Sequence, residues 1–341
     1  MDIRFFLRKK YPGYFSIEQL FVAICNTVRV RLPQNDSADI IEVPYYFSPL
    51  NFLRNIFFLR ARQCNVNHIT GDIHYAILGC SRENLNVLTI HDCVLLEKYS
   101  KWNPKYWVFR ILWYELPMRK ADLITVISEK TKTDLITKIG YGEQKIRVVG
   151  NFVNDAFVYQ PTIFNKANPR LLFIGSTDNK NLDRILQAIT GLTCNLQIVG
   201  KISAAQQLFI DNNNIQTHLS FELTLPELAD QYSKADIVLF PSLYEGFGML
   251  IIEANATGRP VITSNISPMK EVAGEAACFV DPYSVSAIRE GIIKVIEDDV
   301  FRAMLVAKGL KNAALYRPER VADTYIQLYK EFSQKLGHAA L

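Results

Sequence analysis

Residues 236–265 read DIVLFPSLYEGFGMLIIEANATGRPVITSN, and three patterns follow one another in them. "DIVLFPS" is an unbroken apolar run closed by proline and serine, as expected of a strand buried on both faces. "MLIIEANATG" takes up a helical spacing from about Gly248 and ends at Gly258, and "RPVITSN" is a second β-rich run. Strand, helix and strand in that order form the unit of a parallel sheet with crossover helices. The intervening turn carries Glu245 and two glycines to the end of the first strand, eight positions before Glu253.

The same alternation recurs along the chain in "NVLTIHD", "ADLITVIS", "KIRVVGN", "PRLLFIGS" and "CNLQIVG". The fold class is therefore α/β, with doubly wound sheets. Ligands of such sheets collect at the carboxyl ends of strands. In this sequence those ends hold His91-Asp92, Ser128-Glu129, Asn151, Gly175-Ser176, Gly200 and the turn from Ser242 to Gly248.

A chain of 341 residues exceeds the roughly 250 to 300 at which a single core stops growing, so two domains are expected. The proline-bearing stretch "AFVYQPTIFNKANPR" suits a linker after about residue 158. The expected domains are 1–158 and 165–318, both Rossmann-like. Val321, Tyr325, Leu328 and Phe332 recur at helical spacing after Pro318, which predicts one terminal helix at about 319–337.

Hydrophobic residues make up 49% of the chain and charged residues 21%, a globular composition that argues against disorder. The six cysteines are scattered, without zinc spacing, and read as reduced, packed thiols. No apolar run reaches the length of a membrane span and the N-terminus lacks a secretory pattern, so a cytoplasmic protein is expected. The net charge is +4, and the excess of Lys and Arg lies before residue 158. That asymmetry suits docking to an anionic partner such as the inner face of a membrane, or is an ordinary solvated surface. Basic residues do not alternate with aromatics in a continuous run, which disfavours nucleic acid. "YYFSPLNFLRNIFFLRARQ" is a helix candidate, read either as a membrane-surface helix or as a core-packing one with snorkelling arginines.

A helix starting at Gly248 aims its unpaired N–H groups at the strand-end cleft, so Gly246, Phe247 and Gly248 can approach a phosphate by backbone. Glu253 falls about one turn further along, where a carboxylate can accept the two hydroxyls of a ribose. The alternative is a pair of surface carboxylates, but the apolar "IIEANATG" context makes an unpartnered glutamate costly.

"PSLYEGFGMLIIEANATGRPVITSN" resembles the E-x7-E signature of the family 4 retaining glycosyltransferases, nucleotide-sugar enzymes of GT-B fold. "TIHD", "LITVISEKTKTDL", "VVGNFVND", "LLFIGSTDNKNLDRILQA" and "EVAGEAACFVDP" resemble further segments of that family, so the likeness spans most of the chain. It implies two Rossmann-like domains facing a central cleft, the first acceptor-binding and the second nucleotide-sugar-binding, with the terminal helix crossing back to the N-terminal domain. Retaining, metal-independent transfer of a hexosyl unit to a glycan or lipid-linked acceptor is the implied activity, in cell-surface polysaccharide or lipopolysaccharide biosynthesis. No cofactor is implied, since the nucleotide sugar is itself a substrate.

By the same resemblance, Glu253 holds the donor ribose, Glu245 contacts the transferred sugar and Lys180 neutralises the leaving diphosphate. His91 matches a histidine on the donor-sugar or acceptor side. Three departures stand out. Gly175 is followed by Ser176 where the family has arginine, so that Arg184 or Arg8 is a candidate substitute. The N-terminal glycine-rich turn is reduced to Gly13, with Gly13, Tyr14 and Ser16 left as diphosphate or acceptor contacts, or as an ordinary turn and helix cap. "SFELTLPEL" lacks the family's glycine, leaving the base open. The chain also has no D-x-D triplet, so no metal is expected on the diphosphate. A non-catalytic glycan-binding or partner-activating protein and a sugar-nucleotide epimerase are the alternative functions.

Overall fold

The apolar runs become twelve strands among the described residues, every one paired in parallel with its neighbours. The computed structural model describes residues 1–9, 16–140 and 143–337. It divides into two units: Met1–Phe152 together with the chain from Pro318 onward, and Val153–Arg317.

In the N-terminal unit the strands are β1 (Asp2–Leu7), β2 (Ser37–Glu42), β3 (Val66–Ile69), β4 (Leu85–Ile90), β5 (Leu123–Val126) and β6 (Ile146–Val148). They lie in the order β2-β1-β3-β4-β5-β6. The winding reverses between β1 and β3, and such a reversal opens a crevice at the strand ends. Alternation along β1 sends Ile3 and Phe5 into one buried cluster and Phe6 into another on the opposite face of the sheet.

The terminal helix, Pro318–Lys335, belongs to this unit. It packs with the Ser16–Arg31 helix through Tyr325, Phe332 and Phe21, which share a cluster with Phe5. Its buried Tyr329 hydroxyl lies 2.6 Å from Nδ1 of His68, whose Nε2 lies 2.6 Å from Oγ1 of Thr89. A helix distant in sequence is thereby joined to β3 and β4 by fully paired polar groups.

The second unit contains β7 (Arg170–Ile174), β8 (Asn195–Val199), β9 (Thr217–Ser220), β10 (Ile237–Phe240), β11 (Val261–Ser264) and β12 (Cys278–Val280). Their order is β12-β11-β10-β7-β8-β9, which places the reversal between β7 and β10. Leu171 to Phe173 pair in register with Ile237 to Leu239, so the two chains leave the sheet side by side.

The unit boundary falls after Phe152, earlier than the linker expected after residue 158. The Val153 N–H donates to the Tyr316 carbonyl and Phe157 packs edge-on against Tyr232, and further along buried Arg259 donates to the carbonyls of Gln160 and Ser233 and to Oγ1 of Thr162. Residues that look like a linker in sequence are thus tied into the second unit.

Candidate functional site

The turn after β10 and the loop after β7 are locked together. Asn181, buried and with φ +68°, donates from Nδ2 to the carbonyls of Pro241 and Pro282 at 2.9 and 2.7 Å. Asn179 donates to the Tyr244 carbonyl at 2.9 Å, and the Leu243 N–H donates to the Asn179 carbonyl at 2.8 Å. Loops crosslinked in this way hold their side chains in fixed positions, as a preorganised site requires.

Between these loops Lys180 Nζ meets Glu245 Oε1 at 2.7 Å, with both side chains largely buried. Lys180 also lies 5.0 Å from the centre of the Phe240 ring. Gly175 has φ +149°, and a Cβ there would come within 2.5 Å of the Lys180 side chain. Gly200, at φ +151°, is crowded against backbone, since its Cβ would meet the Gly175 carbonyl at 2.2 Å. Only glycine allows the ends of β7 and β8 to approach so closely. Ser176 is drawn into that contact, where its hydroxyl accepts the Lys201 N–H at 2.7 Å. A cavity of about 300 Å³ opens beside it, lined by Gly175, Ser176, Asp178, Asp183, Lys201 and Gln206 among others.

The helix expected after the glycines runs Met249–Ala256, capped by Gly248 with φ +114°. Phe247 is buried with its ring edge-on to Tyr316. Glu253 accepts a 2.6 Å hydrogen bond from the Tyr232 hydroxyl. Burial raises its carboxyl to about 7, against the lowering influence of Tyr232 and of the Lys180 charge. Two carboxylates are thus divided by environment, one paired with a cation and one that burial makes hold its proton more tightly than usual.

His91 lies in the other unit, at the end of β4. It is buried, with Nε2 3.2 Å from Oγ1 of Thr70 and the Phe21 ring edge-on. Burial lowers its pKa to about 4, so the imidazole is neutral at pH 7. Arg8 leaves β1 between two carboxylates, Glu18 and, at 2.7 Å, Asp72. Among the described residues, the second oxygen of buried Glu18 meets no hydrogen-bond partner.

Arg8, Lys9 and Asp72 form the polar part of a cavity of about 370 Å³ whose walls include Tyr46, Phe47, Leu95 and Trp113. The cavity opens where β1 and β3 diverge. Trp113 is fixed by its indole N–H to the Asp72 carbonyl and by His74 on its own carbonyl.

Of the sequence candidates, Glu245, Lys180, Glu253, Gly175, Ser176 and Gly246 to Gly248 gather at the strand ends of the C-terminal unit. Arg8 and His91 lie in the N-terminal unit. Gly13 and Tyr14 lie outside the described residues, as does the side chain of Ser16, whose backbone begins the Ser16–Arg31 helix. Arg184 is turned to Asn181 Oδ1 at 2.9 Å and to the Tyr283 ring. Tyr232, Asn179, Asn181 and Asp72 were not singled out from sequence, because each acts through a contact distant in the chain. Among the described residues no cluster of His, Cys, Asp and Glu could hold a metal ion.

Residues 22–157 match the family model described as Glycosyltransferase Family 4, and residues 159–312 match that of Glycosyl transferases group 1. The chain is 38% identical over 99 residues to O-antigen chain mannosyltransferase B of Escherichia coli, a match covering 29% of this chain and 26% of that protein. It is 27% identical over 271 residues to the MMP alpha-(1->4)-mannosyltransferase of Mycolicibacterium hassiacum, covering 72% and 65%. The solved structure of WaaG, a glycosyltransferase involved in lipopolysaccharide biosynthesis, matches with TM-score 0.69 and 17% identity over 94% of this chain and 99% of that one. Anabaena Alr3699/HepE in complex with UDP matches with TM-score 0.77 and 15% identity, over 97% and 100%. At such identities the structural likeness establishes the two-domain α/β fold, that of the GT-B proteins.

Proposed function

We infer, for a chain of glycosyltransferase family 4 type on the GT-B fold, that it moves a sugar from a nucleotide diphosphate donor to a glycan or lipid-linked acceptor. The process it serves would be polysaccharide or lipopolysaccharide assembly, in keeping with the names of its relatives. The observation that carries this reading is the Lys180–Glu245 pair, held at 2.7 Å beside the Met249–Ala256 helix start where β7 and β10 diverge.

In this reading the donor occupies the C-terminal unit. Lys180 and the helix N-terminus neutralise the diphosphate as the bond to the sugar breaks, so no metal is needed. Glu245, released from Lys180 by the incoming phosphate, accepts hydroxyls of the sugar. Glu253 accepts the ribose hydroxyls and is itself oriented by Tyr232. The acceptor uses the aromatic cavity of the N-terminal unit beside Arg8, with neutral His91 close to the same strand ends.

Transfer proceeds with retention. The bond from the anomeric carbon to the phosphate oxygen breaks, the bond to the acceptor oxygen forms on the same face, and the acceptor proton passes to the departing phosphate. Glu245 and Glu253 do not act as the nucleophile and acid of a retaining glycosidase, because one is paired with lysine and the other is assigned to ribose.

The test is proton NMR of donor turnover with a panel of UDP-, GDP- and ADP-sugars, water serving as surrogate acceptor. One donor class should turn over, the first-formed anomer should keep the donor's configuration, and Lys180→Ala should abolish the signal. An inverted first anomer would overturn retention. Absence of turnover with every donor, alongside intact nucleotide binding, would favour the non-catalytic alternative.

A further inference from the structure

Arg259 is a buried charge that the transferase reading leaves unused. Only 4% of it is exposed, and every hydrogen-bond partner it has among the described residues is neutral. Nε donates to the Tyr232 carbonyl at 3.0 Å, Nη2 to those of Ser233 and Gln160 at 2.7 and 2.9 Å, and Nη1 to Oγ1 of Thr162. A guanidinium taken out of water without a carboxylate is costly to hold. Burial lowers its pKa, with the charge of Asp236 working against that.

Its bonds converge on separate pieces of chain. Tyr232 and Ser233 lie in the last turn of the Leu225–Lys234 helix, where a cation both takes orphan carbonyls and complements the helix dipole. Arg259 itself follows the Met249–Ala256 helix by three residues, and its N–H donates to the Ala254 carbonyl at 2.8 Å. The guanidinium therefore ties together the C-terminal ends of two helices. One of them carries Tyr232 and the other carries Glu253.

Tyr232 is fully buried and held at three points. Arg259 takes its carbonyl, Phe157 meets its ring edge-on with centres 5.3 Å apart, and its hydroxyl donates to Oε2 of Glu253 at 2.6 Å. Among the described residues Oε1 of Glu253 makes no hydrogen bond, and the residue is partly exposed. The last torsion of a glutamate is broad, so an untethered carboxylate would offer Oε1 over a wide range of directions. A bond to Oε2 from a rigid phenol narrows that range.

We propose that Arg259, acting through Tyr232, is a positioning residue for the recognition of sugar hydroxyls by Glu253: the guanidinium fixes the helix end that bears Tyr232, and Tyr232 fixes the carboxylate with one oxygen left for the diol. This rests on the assignment of Glu253 to the donor ribose. The preference of the site for a ribonucleotide then depends on a buried arginine that has no bond to Glu253.

The full chain is titrated by calorimetry with UDP, GDP and ADP and with the 2′,3′-dideoxy form of each. The wild type should bind one of the three at least about tenfold more tightly than its dideoxy form, the size of effect expected when a carboxylate loses its hydroxyl partners. Tyr232→Phe, which deletes only the hydroxyl, and Arg259→Gln should each narrow that preference to about threefold or less, while affinity for the dideoxy form stays within about twofold of the wild type. Arg259→Lys keeps the charge at the helix end but cannot span the same acceptors; it should fall between, and it keeps the test open if Arg259→Gln fails to fold. A merely structural arginine would weaken both forms alike and leave their ratio intact. That result in the Arg259 variants overturns the proposal, as does a Tyr232→Phe protein that discriminates like the wild type. A wild type that binds no diphosphate, or binds the ribo and dideoxy forms equally, would instead remove the ribose assignment of Glu253 and the proposal with it.

Discussion

Glu253 and Lys180 put the site's chemistry within reach of single substitutions. Lys180→Ala and Glu245→Ala should each lower donor turnover by about 10² to 10³, the usual loss when a positioned charge is removed from a transition state. Single-turnover kinetics with saturating donor would show this as a fall in rate rather than a rise in KM alone.

Glu253 gives a pH signature. Its folded-state pKa is raised from 4.5 to about 7, so the folded protein holds this proton more tightly than the unfolded chain does. The resulting stability is complete below pH 4.5 and is lost as pH rises to 7, amounting to about 3 kcal/mol at most. Nucleotide binding should follow the opposite course, strengthening through pH 7 as the carboxylate becomes free to accept ribose hydroxyls. Glu253→Gln should flatten both profiles, as measured by denaturant titration and calorimetry across pH 5 to 8.

Glu245 and Glu253 were singled out in the sequence by their offsets from a strand end and a helix start, and Lys180 only by its resemblance to a lysine of the family. Tyr232 was not, since its bond to Glu253 depends on how two helices pack. Arg8 was named as a candidate substitute for the arginine absent after Gly175, and its two carboxylate partners were not legible.

At the scale of elements, the close approach of β7 and β8 depends on Gly200. Gly200→Ala would drive a Cβ to 2.2 Å from the Gly175 carbonyl at a backbone angle that alanine rarely adopts. It should destabilise the protein by about 2 kcal/mol or more, and chemical denaturation would register it. The anchor of the terminal helix is testable in the same way. Tyr329→Phe removes the partner of buried His68 Nδ1 and should cost about 1–3 kcal/mol, with no change in nucleotide affinity.

Seven of the twelve strands among the described residues and the terminal helix were readable from period and punctuation, and the Met249–Ala256 helix begins where its glycines predict; β1, β2, β3, β9 and β12 were not singled out. Which strands are neighbours was not readable. The order β12-β11-β10-β7-β8-β9 brings Gly175 beside the turn that carries Glu245, although some seventy residues separate them. Local patterns report burial and turns; the neighbour of a strand is chosen by the whole sheet.

For the whole molecule, three buried clusters, two of them on the faces of the N-terminal sheet, and two sheet reversals divide the proposed work between two units. The stretch around Gln160 shows what sequence leaves out: with two prolines and no period it reads as a linker, while Arg259, distant from it in the chain, holds it in the second unit. A fragment spanning Val153–Arg317 encloses its own cluster of buried residues. It should fold cooperatively and bind the same nucleotide class as the full chain, which circular dichroism melts with and without nucleotide would reveal.

The central claim is that the β7/β10 strand ends hold a nucleotide diphosphate through Lys180 and Glu253. Thermal denaturation of the full chain with UDP-, GDP- and ADP-sugars tests it most directly, because a ligand bound only by the native state raises the midpoint with its occupancy. One nucleotide class should raise the wild-type midpoint, and Lys180→Ala and Glu253→Ala should shrink that rise while remaining folded. A wild type indifferent to every nucleotide, or variants that respond as strongly as the wild type, would contradict it.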